Sequence, residues 1–291
     1  MNLTRIPLPT GVELDVATAG HPGAPAIILL HGFPESHRTW RHQIPALAER
    51  FFVIAPDQRG FARSSKPEGV ENYAADKPVA DLLALADHFG KDRFALVGHD
   101  WGGAIAWMTA LRHPGRIERL IIINGPHPFV FQKSLFDDAE QRKASQYIRF
   151  FRDTSIDQGL TGAGLEKFFG NIFTKHVTRV IGGADKAAYL DEWSQPGAMT
   201  AMLNWYRASP IIVPATDETP QRPAFLDAPF PPVTQPTLVI WGTRDKALLP
   251  VQVEGLGALV PDLSMVKIDA GHFVTWERPA EVTAAMLDWL G

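Results

Sequence analysis

Short apolar runs recur along the chain and are separated by stretches of helical periodicity. Five runs are almost purely apolar, at residues 26–30, 51–55, 94–97, 120–123 and 237–241. Such runs are typical of parallel strands that helices cover on both faces. Between them, VADLLALADHFG and AIAWMTALRHPG have the period of a helix and end at Gly90 and Pro114. The alternation predicts an α/β fold with a doubly wound, mostly parallel sheet, preceded by an edge hairpin at residues 3–20.

The alternation stops between His127 and Pro236. The segments FDDAEQRKASQYIRFFRD, GLEKFFGNIFTKHV and DKAAYLDEWSQPGAMTAMLNWYRA predict helices without buried strands between them. The proline-rich segment PATDETPQRPAFLDAPFPPVTQP then predicts an extended return to the sheet. We therefore expect residues 1–128 and 231–291 to form the two parts of one core domain, and residues 129–230 to form an inserted helical cap with its return linker.

Composition narrows the classes of function. The chain of 291 residues has a formal net charge of -4 and no cysteine. The mild charge gives no reason to expect nucleic acid or an anionic membrane as a partner, and the lack of cysteine excludes disulfides, thiolate metal sites and a cysteine nucleophile. The start, MNLTRIPLPTGVELDV, has no signal-peptide pattern and no apolar run is long enough for a bilayer. We expect a cytoplasmic protein without metal or cofactor; a homodimer is compatible with the sequence.

The segment VGHDWGG has the spacing of the strained strand-to-helix turn that usually presents a nucleophilic serine, but here the position is Asp100. A carboxylate is ionised at pH 7 and needs no base to become a nucleophile. It attacks esters and amides poorly, because the anhydride formed would be unstable. It can displace a good leaving group from a saturated carbon, such as a halide or the strained oxygen of an epoxide. The substitution thus selects a class of substrate.

Breakdown of the resulting ester requires a base, a group that orients the base, and donors to the tetrahedral oxyanion. His272 in DAGHFVTWERP and Asp245 in VIWGTRDKALLP follow predicted strands, in the chain order nucleophile, acid, histidine. The backbone N–H groups of Phe33, in HGFPES, and Trp101 are the candidate oxyanion donors. Singly, each feature has a simpler interpretation, such as a helix cap or a surface histidine. Their joint order after buried strands favours a catalytic unit.

These residues resemble the α/β-hydrolase superfamily over essentially the whole chain. The segments HGFPES, DQRG, GHDWGG, LNWYR and the final GH together resemble the epoxide hydrolases. The resemblance implies an α/β-hydrolase fold in which two cap tyrosines hydrogen-bond the epoxide oxygen and one protonates it. Tyr206 in AMLNWYRA matches the second tyrosine motif well. Tyr147 in SQYIRFF matches the first less closely, because Ile148 and Arg149 replace the family's glutamines.

The predicted activity is hydrolysis of an epoxide to a vicinal diol. Asp100 forms a hydroxyalkyl ester, which water activated by His272 then hydrolyses. The expected partners are a small apolar epoxide and water. We expect an apolar substrate pocket lined by five aromatic residues: Trp101, Phe33, Phe150, Trp205 and Phe273.

Three alternatives use the same frame. Haloalkane dehalogenases share the aspartate and tryptophan but generally need a second halide donor where this chain has Phe33, whose side chain cannot donate. Haloacetate dehalogenases carry arginines where this chain has Trp101 and Ala104. A non-catalytic small-molecule binder would have no physical need for Asp100, Asp245 and His272 together. An ordinary serine esterase is excluded, because Asp100 replaces the serine at the strand-to-helix turn.

Overall fold

A computed structural model of the protein describes residues 1–179 and 181–291. The described residues contain one eight-stranded sheet with the strand order β1-β2-β4-β3-β5-β6-β7-β8. The strands are β1 (Asn2–Pro7), β2 (Glu13–Ala19), β3 (Ala26–Leu30), β4 (Phe52–Pro56), β5 (Phe94–His99), β6 (Ile117–Ile123), β7 (Thr237–Gly242) and β8 (Leu263–Ile268). β1 and β2 form the predicted antiparallel hairpin, and β2 pairs with β4 in antiparallel direction. The six strands from β3 to β8 are parallel to one another. The predicted fold class is confirmed.

The apolar runs became strands because both faces of the sheet are covered. Every residue of β3, β4, β5 and β7 is buried. The helices of the core are α1 (Ile44–Leu47), α2 (Asp76–His88), α3 (Trp101–Arg112), α10 (Val274–Glu277) and α11 (Pro279–Leu290). α1 and α11 contribute Ile44 and Met286 to one buried cluster, and α2 and α3 contribute Leu85 and Ile105 to the other. Because the strands are parallel, their carboxyl ends lie together at one edge of the sheet.

Between β6 and β7 the described chain contains six α-helices and no strand. They are α4 (Pro128–Asp137), α5 (Ala139–Ala144), α6 (Gln146–Arg152), α7 (Ala163–Lys175), α8 (Gly183–Trp193) and α9 (Ala198–Ala208). The predicted segments 136–153 and 185–208 are each divided. Asp138 caps α5 by accepting the N–H of Gln141 at 2.7 Å, and Gly197, with φ of 73°, separates α8 from α9. The domain boundaries at residues 128 and 230 stay a prediction.

The DQRG turn after β4 has a structural role. Arg59 is 3% exposed and donates two hydrogen bonds to the Asp81 carboxylate, at 2.6 and 2.7 Å. The carbonyl of Arg59 accepts the indole N–H of Trp205 at 3.1 Å, which ties the turn to α9 of the cap. In the described part of the chain, no helix combines the length and hydropathy needed to cross a membrane.

Candidate active site

Asp100 lies at the sharp turn between β5 and α3. Its backbone has φ of 51° and ψ of -117°, a conformation that is uncommon for any residue with a side chain. The turn is tight enough that a Cβ on Gly98 would collide with the carbonyl of Gly102, and a Cβ on Gly102 with the carbonyl of Leu30. The glycines of GHDWGG are therefore required by the close approach of three backbone segments. The strained turn holds the carboxylate of Asp100 at the carboxyl edge of the sheet.

His272 lies between two carboxylates at this edge. Its Nε2 is 3.5 Å from Oδ2 of Asp100, and its Nδ1 is 2.7 Å from Oδ2 of Asp245. Asp245 is fixed by the N–H groups of Ala247 and Leu248, at 2.8 and 2.9 Å, and by the side-chain amide of Asn124 at 2.7 Å. The structure thus brings together the three residues predicted as the triad.

The charges of the triad stabilise one another. Burial disfavours the charged form of His272, but the Asp245 charge and the hydrogen bonds to Asp100 and Asp245 outweigh it and raise its pKa well above the ordinary value. Burial alone would raise the pKa of Asp100, but His272 and the N–H of Phe33 lower it. These shifts favour an imidazolium between two carboxylates in the resting site.

The predicted oxyanion donors lie beside Asp100. The N–H of Phe33 donates to Oδ1 of Asp100 at 2.8 Å. Trp101 is the first residue of α3, so its N–H belongs to the helix terminus, where amides have no intrahelical acceptor. The helix terminus also favours negative charge at this point.

The cavity above Asp100 consists of two chambers that meet at Asp100, Tyr147 and Tyr206. The larger chamber, of about 550 Å³ including its open mouth, is lined mainly by apolar residues, among them Trp101, Ala104, Pro126, Phe131, Ile148 and Leu248. The smaller chamber, of about 420 Å³ on the same measure, is lined by Phe33, Phe151, Ile172, His176, His272 and Phe273. Among the residues described, no group of three or more histidines, aspartates and glutamates could hold a metal ion.

The two cap tyrosines predicted from the resemblance lie together over the nucleophile. Their ring centroids are 6.0 Å apart, and Tyr206 packs edge-on against Phe33 and Trp101 at 5.1 and 5.2 Å. Burial, and next the charge of Asp100, raise the pKa of both phenols well above the ordinary value. Both tyrosines therefore keep their protons at neutral pH and can act as hydrogen-bond donors.

Two of the five predicted pocket aromatics lie elsewhere. Phe150 is 57% exposed, whereas its neighbour Phe151 lines the smaller chamber. Trp205 is buried but lines neither chamber, because its ring packs on Phe61 at 5.4 Å and its indole binds the carbonyl of Arg59. Consecutive helical residues point in directions about 100° apart. The neighbours Phe151 and Tyr206 therefore face the cavity, and Phe150 and Trp205 do not. Trp101, Phe33 and Phe273 do line the cavity.

Polar residues lie one layer below the triad, and of these the sequence prediction missed Glu35 and Asn124, whereas it expected His99 to pack or hydrogen-bond beneath the turn at Asp100. Glu35 is 1% exposed and accepts the Tyr189 hydroxyl at 2.9 Å and the Trp276 indole N–H at 3.0 Å. His99 lies with Nδ1 3.5 Å from Glu35, and its Nε2 is 2.9 Å from the carbonyl of His272. The acidic residue of HGFPES and the histidine of GHD were visible signals for this layer. Asn124 carried none, because only the tertiary fold brings it to Asp245.

Comparison with known proteins defines the class first. A family model described as alpha/beta hydrolase fold matches residues 25–279. The AB hydrolase superfamily protein YfhM of Bacillus subtilis is 35% identical over 286 residues, covering 96% of this chain and 95% of that protein. Epoxide hydrolase A of Mycobacterium tuberculosis is 32% identical, covering 96% of this chain and 94% of that protein. The chain belongs to the alpha/beta hydrolase fold family, and within it to the epoxide hydrolases.

The chain is also similar in structure to solved epoxide hydrolases. A structure described as one of the novel epoxide hydrolases from metagenomes of hot environments has a TM-score of 0.93 and 47% identity, covering 100% of this chain and 99% of that one. The epoxide hydrolase of Bacillus megaterium in complex with an inhibitor has a TM-score of 0.85 and 30% identity, covering 99% of each chain. The resemblance found in the sequence motifs is confirmed.

Proposed function

We propose that the protein hydrolyses small apolar epoxides to vicinal diols through a hydroxyalkyl ester on Asp100. The observation that carries this proposal is the position of Asp100, which shares both chambers with Tyr147 and Tyr206 and lies 3.5 Å from Nε2 of His272. A carboxylate nucleophile with phenol donors in the same apolar cavity fits a substrate whose leaving oxygen must be protonated.

In the first step, a carboxylate oxygen of Asp100 attacks one ring carbon and forms a C–O bond while the ring C–O bond breaks. The ring oxygen takes a proton from one tyrosine, Tyr147 or Tyr206, and the other donates a hydrogen bond to it. His272, the imidazolium of the resting site, returns a proton to the tyrosinate. The ester removes the negative charge of Asp100, one of the causes of the raised pKa of His272, so this proton transfer becomes easier.

In the second step, neutral His272 takes a proton from water as the oxygen of that water attacks the carbonyl carbon of Asp100. The tetrahedral oxyanion lies at the N–H groups of Phe33 and Trp101. Its collapse breaks the ester C–O bond, and the proton of the new Asp100 carboxyl group passes to the departing diol oxygen. Asp245 holds the ring of His272 and stabilises the imidazolium that forms. The cycle ends in the resting charge state, and epoxide plus water has become diol.

A single turnover in heavy-oxygen water tests this route. With enzyme in excess, we expect unlabelled diol and one heavy oxygen in the peptide that contains Asp100, because water attacks the enzyme and not the substrate. With substrate in excess, the same enzyme should release labelled diol from the second turnover onward, which serves as the control. Labelled diol in the first turnover, with Asp100 unlabelled, would mean that water attacks the ring directly.

The dehalogenase alternative is tested by offering styrene oxide and a bromoalkane side by side. The only hydrogen-bond donor that Phe33 offers is its backbone N–H, so a departing bromide would have the Trp101 side chain but no second side-chain donor at that position. We expect diol without bromide release. Bromide release at a comparable rate would favour the dehalogenase.

A further inference from the structure

The end of cap helix α7 is fastened to the loop that carries His272. The N–H of His272 donates to the carbonyl of His176 at 2.9 Å. The N–H of Thr178 donates to Oε2 of Glu277 at 2.6 Å, and the Thr178 hydroxyl donates to the same oxygen. The N–H of Gly271, which precedes the histidine, also donates to Oε2, at 3.1 Å. We call these five residues the Glu277 clasp.

The clasp is closely packed. Glu277 is 2% exposed and ends α10. A Cβ on Gly271 would come within 2.5 Å of the carbonyl oxygen of His176 and within 2.9 Å of Oε1 of Glu277. Among the described residues, Oε1 has no hydrogen-bond partner, so the donors of the clasp all converge on Oε2. This buried carboxylate therefore joins two segments that also meet through the His272 N–H bond and through the ring of Phe173, which packs on Phe273 at 4.8 Å.

We propose that Glu277 is a positioning residue that holds His272 in place for hydrolysis of the ester. The inference rests on the proposed function. The carbonyl of His272 is 2.9 Å from Nε2 of His99, a core residue. The N–H of His272 is bound by the carbonyl of His176 in the cap. Glu277 accepts hydrogen bonds from the cap segment and from Gly271, so it fixes these two parts relative to each other. It therefore helps to fix the backbone of His272, which lies between its contacts with the cap and with His99.

The expected effect falls on one step. Asp100 attacks the epoxide without a base, whereas hydrolysis requires the ring of His272 to hold water in line with the ester carbonyl. A displacement of about 1 Å can slow such a step by about 100-fold. Loss of the clasp should therefore slow decay of the ester and leave its formation nearly unchanged.

Rapid-quench mass spectrometry of a single turnover measures ester formation and decay separately. In Glu277→Met, which removes the acceptor at similar volume, we expect ester decay to slow by about 10- to 100-fold, with formation within about three-fold of wild type. In Glu277→Gln, an amide oxygen can replace Oε2, and the amide NH₂ takes the place of Oε1, which no donor faces. This variant should recover most of the decay rate.

Glu192→Met is the matched control. Glu192 is a buried glutamate of α8 that accepts from Nε of Arg38 at 2.6 Å, so it also ties cap to core, but away from the His272 loop. We expect this variant to change formation and decay equally. If Glu277→Met does not fold, Thr178→Ala, which removes one donor from the exposed side, should still slow decay by about three-fold or more.

Two results would overturn the inference alone: unchanged ester decay in Glu277→Met or Thr178→Ala, or equal slowing of formation and decay in Glu277→Met. A wild-type enzyme that turns over epoxide without any ester would instead overturn the proposed function, and the inference with it.

Discussion

Replacing His127 with Phe should make the protein less sensitive to mild acid. His127 precedes α4 at the entrance to the cap and is 1% exposed. Its ring packs against Trp107 and Phe230, at centroid distances of 5.1 and 5.3 Å. Neither ring nitrogen has a hydrogen-bond partner among the described residues. Burial lowers the pKa of His127 to about 4, so folding holds the imidazole in its neutral form.

The sign and size of the effect follow from proton linkage. The folded pKa of about 4 lies below the ordinary value of 6.5, which applies to the unfolded chain. As the pH falls below 6.5, the unfolded chain binds a proton that the folded protein excludes, so the free energy of unfolding decreases until the pH passes the folded pKa. The full loss is about 3 kcal/mol, of which about 2 kcal/mol has been reached at about pH 5.

Urea unfolding of wild type and His127→Phe at about pH 7.5 and about pH 5 measures this contribution. As the pH is lowered from one value to the other, the free energy of unfolding of the wild type should decrease by about 2 kcal/mol more than that of the variant. The packing change in the variant does not depend on pH and cancels in this difference. His113→Gln is the control, because it also removes a histidine, but one that is exposed. Equal pH dependence in wild type and His127→Phe would refute the reasoning.

Other outcomes can be measured in the same way. In His272→Gln the ester should accumulate, visible as an intact-mass increase of one substrate; normal turnover would contradict the assigned role. Removing both hydroxyls in a Tyr147→Phe and Tyr206→Phe double variant should raise the barrier to ester formation by about 2–4 kcal/mol per donor; a change of only a few-fold, by stopped flow, would exclude the tyrosines. Asp81→Asn should lower the free energy of unfolding by about 3–5 kcal/mol, because Arg59 stays buried without its charge partner; a loss under about 1 kcal/mol in urea unfolding would contradict this.

The parallel strands were predictable because they are buried on both faces. Residues 26–30 form β3 with the predicted bounds, since five consecutive apolar residues are typical of a strand that is covered on both faces. The cap was less predictable. Its helical periodicity continues across Asp138 and Gly197, but Asp138 caps the start of α5, and Gly197, in a left-handed conformation, immediately precedes α9. Periodicity reports the apolar face of a segment and not the direction of its axis.

The triad could be found because chemistry restricts it to loops after strands, and parallel strands bring those loops to one edge. Asp100, Asp245 and His272 each satisfy this condition. Phe150 and Trp205 were misplaced because the rotation of a helix about its axis is set by packing, which composition does not show. Glu277 lies only five residues after His272, yet its role depends on a contact with a distant cap segment.

The indole of Trp205 and the phenol of Tyr206 are consecutive in sequence but belong to different parts of the molecule. The indole reaches the Arg59 carbonyl in the core, and the phenol reaches the cavity. Any movement of α9 that displaced the phenol would therefore also have to break a fully buried anchor. Mutations in α4 can change the shape of the larger chamber without removing this anchor of the Tyr206 phenol. Pro128 and Phe131 of α4 line the larger chamber, so changes at these two positions would alter the space for the substrate and leave the Trp205 anchor in place.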